Sequence, residues 1–280
     1  MFVLEPIFHK EIWGGKRLMD IYGEQADGLA HLYSLKCKDK NSNIILNGKS
    51  KGRFLFDVIG AFPLQIAIVD AALDLSIQVH PDDPDANLVK YESYYFIEAP
   101  ESGYIYSGIK KLSADVILSA VETGIILQHI GKSPVKSGDY VFIEPRTVHA
   151  LTAGSFVYEI EQGVDNTYRL FDYNRYCADG NKRLLQIDKA IDVLDPSRKA
   201  VVRVYQSNEI IAEQTYETQL LTNINEIENS GNTYECLTLL SGDTIIDGAG
   251  FKKGMTVIIE PGEKLELFEV EKCVLARSLV

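Results

Sequence analysis

Apolar and polar positions alternate with a period of two along most of this chain, in short runs closed by clusters of Gly, Pro, Asn and Ser. That period marks strands, whose side chains point to opposite faces in turn. Tyr33-Ser34-Leu35-Lys36-Cys37-Lys38 and Asn43-Ile44-Ile45-Leu46 are such runs, with the turn cluster Asn47-Gly48-Lys49-Ser50 beyond them, and they predict antiparallel strands. Pro63 to Val69 leads through Asp70-Ala71-Ala72-Leu73 into Leu75-Ser76-Ile77-Gln78-Val79, a strand that Pro81 ends just past His80; Asp82-Asp83-Pro84-Asp85 then predicts a turn. Further on, Gly138-Asp139 predicts a turn, Tyr140 to Ile143 a buried strand, Pro145 a break, and His149 the start of the next strand. Helical spacing is rarer. Ser113 as N-cap, the stripe Val116, Ile117, Ala120 and Val121, and Gly124 past the end predict a covering helix from Ala114 to Val121, and a second short helix is predicted from Ile187 to Leu194. Trp13, followed by Gly14 and Gly15, predicts a packing anchor before a sharp turn.

The segment around Gly138 has an echo. Lys252-Lys253-Gly254-Met255-Thr256-Val257-Ile258-Ile259-Glu260-Pro261 repeats the Lys, the Gly, the β-branched run and the Glu-Pro of the earlier stretch 116 positions on, so two related β units are expected. The whole predicts an all-β fold with a few covering helices, its strands curled into two barrel or jelly-roll units. The first spans residues 1–195 with a helical insertion near 113–130, and the second, smaller, spans 196–280, divided at Asp195-Pro196-Ser197-Arg198-Lys199. All five histidines (His9, His31, His80, His129 and His149) precede residue 150, and Leu265 stands in the repeat where His149 stands in the first copy. The second unit therefore has no histidine-based metal site, and the chemistry is expected in the first.

Composition narrows the partners. Of 280 residues, 46% are apolar and 24% charged, ordinary for a globular protein, and the formal charge of -12 argues against nucleic acid or an anionic membrane surface as a partner. Met1-Phe2-Val3-Leu4-Glu5-Pro6 lacks the basic and apolar regions of a leader, and no long apolar run occurs, so a cytoplasmic protein is expected. Cys37, Cys177, Cys236 and Cys273 are far apart with no CxxC, which suggests reduced, packed thiols rather than a zinc-thiolate site or a disulfide framework.

Gln78 and His80, two apart on one strand, point the same way and reach a common ion together. Lys90 and Glu92 share a face of another predicted strand by the same rule. Gln78, His80, Glu92 and His149 then form a nitrogen and oxygen ligand set with room for water or substrate, as a catalytic rather than structural metal requires. The competing readings are a hydrogen-bonded core histidine for His149 and a solvated strand carboxylate for Glu92. His9, His31 and His129 are read as structural or surface residues.

The chain resembles type I mannose-6-phosphate isomerases of the short bacterial form, which belong to the cupin superfamily. The likeness runs in order through Pro6 with Ile12-Trp13-Gly14-Gly15, Leu75-Ser76-Ile77-Gln78-Val79-His80-Pro81-Asp82-Asp83, Lys90-Tyr91-Glu92, Gly138-Asp139 with Thr147-Val148-His149-Ala150, and Asn166-Thr167-Tyr168-Arg169-Leu170-Phe171-Asp172-Tyr173. The resemblance implies a divalent metal, zinc in most members, bound by Gln78, His80, Glu92 and His149. It implies a sugar-phosphate partner, Lys90 and Arg169 as catalytic pocket residues, and Ser76 and Arg169 in substrate binding, with Ser76 at the phosphate end. The implied reaction interconverts mannose 6-phosphate and fructose 6-phosphate through a cis-enediol, in a monomer or small homo-oligomer. Lys90 is acid or base, and Arg169 holds phosphate or oxyanion unless it only pairs with a neighbour such as Asp172.

Three departures bear on the substrate. Pro63-Leu64-Gln65-Ile66-Ala67 replaces the family's Pro-Leu-Leu-Ile-Lys, so a pocket lysine is alanine at position 67. Gly28-Leu29-Ala30-His31-Leu32-Tyr33 replaces a Glu-Ser-Trp segment, and Arg146 in Glu144-Pro145-Arg146-Thr147 replaces a glycine, there either to restore a positive charge or to cap a turn. Beside the mannose-6-phosphate isomerase stand two alternatives: a related cupin enzyme for another sugar or sugar phosphate, and a non-catalytic metal-containing sugar-binding or regulatory protein.

Overall fold

The computed structural model describes residues 1–83, 88–163, 166–177 and 180–280. Its central layer is an eight-stranded sheet in the order Val201–Val204, Asp139–Ile143, Leu88–Glu98, Phe156–Gly163, Leu64–Asp70, Leu29–Leu35 and Ile7–Gly15, with Asp82–Asp83 paired to Leu88–Glu98 off that path. A five-stranded sheet ordered Tyr168–Phe171, Ile77–Val79, His149–Ala150, Tyr104–Ile109 and Ile130–Pro134 covers one face. On the other face lies a six-stranded sheet ordered Phe2–Val3, Thr256–Ile259, Glu235–Ser241, Lys264–Ser278, Tyr216–Glu228 and Ile210–Ala212. The fold is therefore all-β and cupin-like, with curled sheets stacked in layers. Among the described residues no helix is long and apolar enough to cross a membrane.

Both faces of the central strands are buried, so the period of two sorts their side chains between two interiors. Ile66 and Ile68 pack with Tyr95, Tyr158 and Ile160 against Tyr216, Leu220, Ile258 and Val274 of the six-stranded sheet. Ala67 and Val69 turn the other way, joining Tyr94, Phe96 and Val157 against Ile77, Val79, Ile105 and Val148 of the five-stranded sheet. A third cluster, with Leu237, Leu239, Val257, Ile259 and Cys273, fills the C-terminal sheet and takes in Leu265, the residue that stands where the first copy has a histidine. Strands cross the expected division near residue 196 in both directions: Phe2 pairs with Ile258, and Val202 with Val141.

Several local expectations change. Asn43 to Leu46 makes only isolated bridges, Leu4 to Ile45 and Ile44 to Phe54, because the Asn43 side chain takes the Lys36 amide and donates to the Glu5 and Tyr33 carbonyls in place of a ladder. Gly14 and Gly15 remain within the Ile7–Gly15 strand instead of turning the chain. A Cβ at Gly14 would stand 2.2 Å from the Gly28 carbonyl oxygen, and one at Gly15 would stand 2.2 Å from the Asp70 carboxylate, so both serve close approach. The covering helix runs Ala114–Glu122 and buries Ile117, Ala120 and Val121, but Val116 is 45% exposed on its flank, and Ser113 holds the N-cap position without a side-chain bond. Asp82–Asp83 is a strand rather than the start of a turn; Pro84 and Asp85 lie outside the described residues.

The outer face of the central sheet depends on the C-terminal sheet for its cover. A chain ending at residue 195 is expected to aggregate or to lose its cooperative melting transition, since Ile66, Ile68, Tyr95, Tyr158 and Ile160 would meet water together. A soluble 1–195 fragment with a sharp calorimetric transition would show that this layer is dispensable.

Candidate metal centre and its cavity

The site is built where the eight-stranded and five-stranded sheets face each other. In the three-residue strand Ile77–Val79, Ile77 and Val79 are buried in the apolar core and Gln78 turns to the opposite face. The ladder sets Gln78 directly across from His149 on one side and Arg169 on the other, which puts three candidate site residues in one row. His80 follows the strand end. From the facing sheet, the Leu88–Glu98 strand contributes Lys90 and Glu92 from its inward positions, while the alternate Tyr91 and Tyr95 join the outer core.

Hydrogen bonding fixes both imidazoles. A backbone carbonyl only accepts, so His80 Nδ1 must donate to Asn166 O at 3.0 Å, and His149 Nδ1 to Thr147 O at 2.9 Å. Each ring then turns Nε2 toward Glu92: His80 Nε2 lies 2.9 Å from Glu92 Oε2, and His149 Nε2 lies 3.6 Å from Glu92 Oε1 and accepts from the Gln78 side-chain Nε2 at 3.3 Å. Burial, with the charge of Lys90 behind it, brings His80 down to about 4, so at neutral pH its Nε2 offers a lone pair. Burial alone would raise Glu92, but Lys90, His80 and hydrogen bonding outweigh it and hold the carboxyl well below its ordinary range. Two lone-pair atoms thus face each other at 2.9 Å, and Glu92 Oε1 is buried without a hydrogen-bond partner. Such a cluster of acceptors fits a divalent cation, and the candidate ligand atoms of His80, Glu92 and His149 all lie within 4.8 Å of one another.

A cavity of about 270 Å³ opens beside this cluster, lined among others by Ser76, Gln78, Lys90, Glu92 and Arg169. Lys90 Nζ contacts Glu161 Oε1 at 2.5 Å and Glu92 Oε2 at 3.1 Å, and Gln65 Nε2 donates to Glu161 Oε2 at 2.7 Å. Gln65, one of the departures on this strand, thereby helps hold the lysine's counter-ion. Glu92, Glu159 and Glu161 form a second buried carboxylate group, with Lys90 against Glu92 and Glu161 and His31 Nε2 4.0 Å from Glu159, and such a concentration of carboxylates also favours a bound cation. Asp172, the neighbour suggested as a partner for Arg169, pairs with Arg175 and Arg183.

The sequence reading missed several lining residues. Glu159 and Glu161 stand two apart in an otherwise apolar buried strand, the same signal that marked Lys90 and Glu92. Trp13, His9, His31 and Lys36 also line the cavity, and Trp13 meets the His31 ring edge-on at 5.2 Å. Arg146 is absent from the lining: its Nε donates to Val193 O at the end of the Ile187–Val193 helix, the capping role of the two considered.

No protein-family model matches the chain. A mannose-6-phosphate isomerase of Streptococcus mutans is 32% identical over 220 residues, covering 70% of each protein. The crystal structure of a mannose 6-phosphate isomerase from Bacillus subtilis aligns with 99% of each chain at a TM-score of 0.82 and 23% identity. A zinc-bound mannose 6-phosphate isomerase aligns with all of this chain and 99% of its own at a TM-score of 0.63 and 12% identity.

If the four residues hold one ion, His80→Ala should leave the protein folded, with its metal content by plasma mass spectrometry reduced at least roughly tenfold, the usual scale for losing an inner ligand or its support. An unchanged metal content in that variant would refute the ligand set.

Proposed function

Because this chain belongs to the mannose-6-phosphate isomerase family, we propose that it interconverts mannose 6-phosphate and fructose 6-phosphate at this cavity. The observation that carries the reading is the meeting of His80, Glu92 and His149 beside the Lys90 ammonium in a polar cavity. We propose Gln78, His80, Glu92 and His149 as the metal ligands and zinc as the metal. Two imidazoles, a carboxylate and an amide suit it, and a protein of the same fold is zinc-bound. When bound, the cation supplies positive charge against the oxygens at C1 and C2 as the enediol forms.

The two sugars differ by the position of a carbonyl. After ring opening, a base takes the proton from C2, the electron pair forms the C1–C2 double bond, and O1 gains a proton; then O2 loses its proton and C1 receives one. Lys90 Nζ, held between Glu92 and Glu161, acts as a hydrogen-bond donor and positive charge for the developing oxyanion. Glu161 has both carboxylate oxygens engaged, by Lys90 and Gln65. Glu159, two residues away on the same face of its strand and lining the cavity, with His31 Nε2 4.0 Å from its carboxylate, is the group assigned to carry the proton from C2 to C1 along one side of the planar enediol. Ser76 and Arg169 line the cavity from the facing sheet and orient the substrate. A division into residues 1–195, carrying the site, and 196–280, covering the outer sheet face, belongs to the same proposal. So does a cytoplasmic setting, which the four free cysteines support.

A coupled assay of fructose 6-phosphate formation on zinc-loaded and chelator-treated protein is expected to give turnover that disappears with the metal and returns with zinc. Absence of turnover in protein that holds one ion per chain would sink the substrate assignment. Glu159→Gln should lower kcat by about a hundredfold or more, the scale of general-base catalysis, and slow exchange of the C2 hydrogen with deuterated water while metal content stays level. Wild-type exchange in that variant would remove Glu159 from the proton path.

A further inference from the structure

Among the described residues, four permanent cations line the cavity: Lys36, Lys90, Arg169 and Arg183. Their charges are unequally committed. Lys90 sits between two carboxylates, and Arg183 pairs with Glu11 at 3.1 Å and Asp172 at 3.4 Å. The Glu11 carboxyl, held low first by its hydrogen bond with His9, also feels Arg183 and Arg169. Lys36 differs. Among the described residues it has no carboxylate partner, and its Nζ rests 4.9 Å above the centroid of the Tyr33 ring. An aromatic face holds an ammonium without neutralising it, which leaves the positive charge available to an incoming anion.

Position agrees with charge. The cavity floor crosses the central sheet from the Lys90 strand through the strand of Glu159 and Glu161 and that of Ala67 to the strand of His31 and Tyr33, just beyond whose end Lys36 lies. Ala67 pairs with Tyr33 on one side and Glu159 on the other, so the strand between the two ends presents a methyl group and no cation. Adjacent strands stand about 4.8 Å apart, which sets the Tyr33 strand roughly 14 Å from the Lys90 strand. Long side chains reaching inward from both ends narrow that gap toward the length of an open-chain hexose phosphate.

Building on the isomerase reading, we propose that Lys36 receives the phosphate dianion of the substrate, with the reacting carbons at the Lys90 and Glu92 end. It makes the position a specificity determinant for phosphorylated over free sugars. A lysine binds phosphate as a point charge, so the contact requires no bidentate geometry.

The test compares wild type, Lys36→Met and Lys36→Arg, with calorimetric titration of mannose 6-phosphate, free mannose and inorganic phosphate alongside the coupled assay. Lys36→Met should weaken mannose 6-phosphate binding and raise its KM by roughly tenfold, the scale of one hydrogen bond to a charged group, with a larger change in KM than in kcat. Free mannose should bind both proteins alike, and Lys36→Arg should keep most of the affinity. Equal mannose 6-phosphate affinity in wild type and Lys36→Met overturns the assignment, as does a wild type that binds neither mannose 6-phosphate nor inorganic phosphate. If wild type binds mannose 6-phosphate without turning it over, the isomerase reading fails while the calorimetric comparison still decides the role of Lys36.

Discussion

Glu92 is the constraint around which the two sheets that face the cavity are arranged. Its carboxylate is buried, one oxygen has no hydrogen-bond partner, and both face imidazole nitrogens whose opposite ring atoms are already committed to backbone carbonyls. Taken alone, such a group is expensive to bury, because a desolvated carboxylate needs positive charge or several donors. Lys90 supplies part of that charge, but it is shared with Glu161, and Glu159 adds another carboxylate to the same space. The arrangement is one that a bound cation completes. The carbonyls of Asn166 and Thr147 prepare it by fixing which nitrogen of each ring turns toward Glu92.

This polar cluster stands inside the protein because both faces of the central sheet are covered. The strands that carry Lys90, Glu92, Glu159 and Glu161 on the cavity face carry Tyr91, Tyr95, Tyr158 and Ile160 on the other, where the C-terminal sheet packs. Polar residues on one side of a strand thus rest on large apolar side chains on the other. Buried hydroxyls join the layers, with the Ser93 hydroxyl 2.5 Å from that of Tyr216 and accepting from Tyr140 at 2.7 Å. The Leu265 that replaces a histidine in the second copy fills a core there, in keeping with a covering role for that sheet.

Much of this was legible in the period of two. Gln78 with His80, and Lys90 with Glu92, could be set on shared faces from spacing alone, because strand geometry makes i and i+2 neighbours in direction. That the two pairs meet, and that His149 joins them, depends on strand pairing across distant segments, which spacing does not encode; the family resemblance supplied it. Glu159 and Glu161 carried the same i, i+2 signal and could have been found by it. Trp13, His31 and Lys36 could not, since their approach to the cavity follows from the order of strands in the central sheet. Gly14 and Gly15 misled for a related reason: a glycine pair reads locally as a turn, but here the missing Cβ atoms admit the Gly28 backbone and the Asp70 carboxylate.

The two charge departures resolve differently once side chains are placed. Arg146 has a φ of 70°, in the left-handed region where glycine is free of strain, and its backbone amide donates to the His80 carbonyl at 2.7 Å. Its side chain turns away to the carbonyl end of the Ile187–Val193 helix, so the arginine braces the segment behind His80 without adding its charge to the cavity lining. The cation missing at Ala67 is therefore not restored from that side. On the central sheet, Gln65 and Glu161 clamp Lys90 toward Glu92, and the one cavity lysine with no carboxylate partner among the described residues stands past the end of the Tyr33 strand. These two lysines thus hold their charge in different ways, one clamped between carboxylates beside His80 and the other resting on an aromatic face.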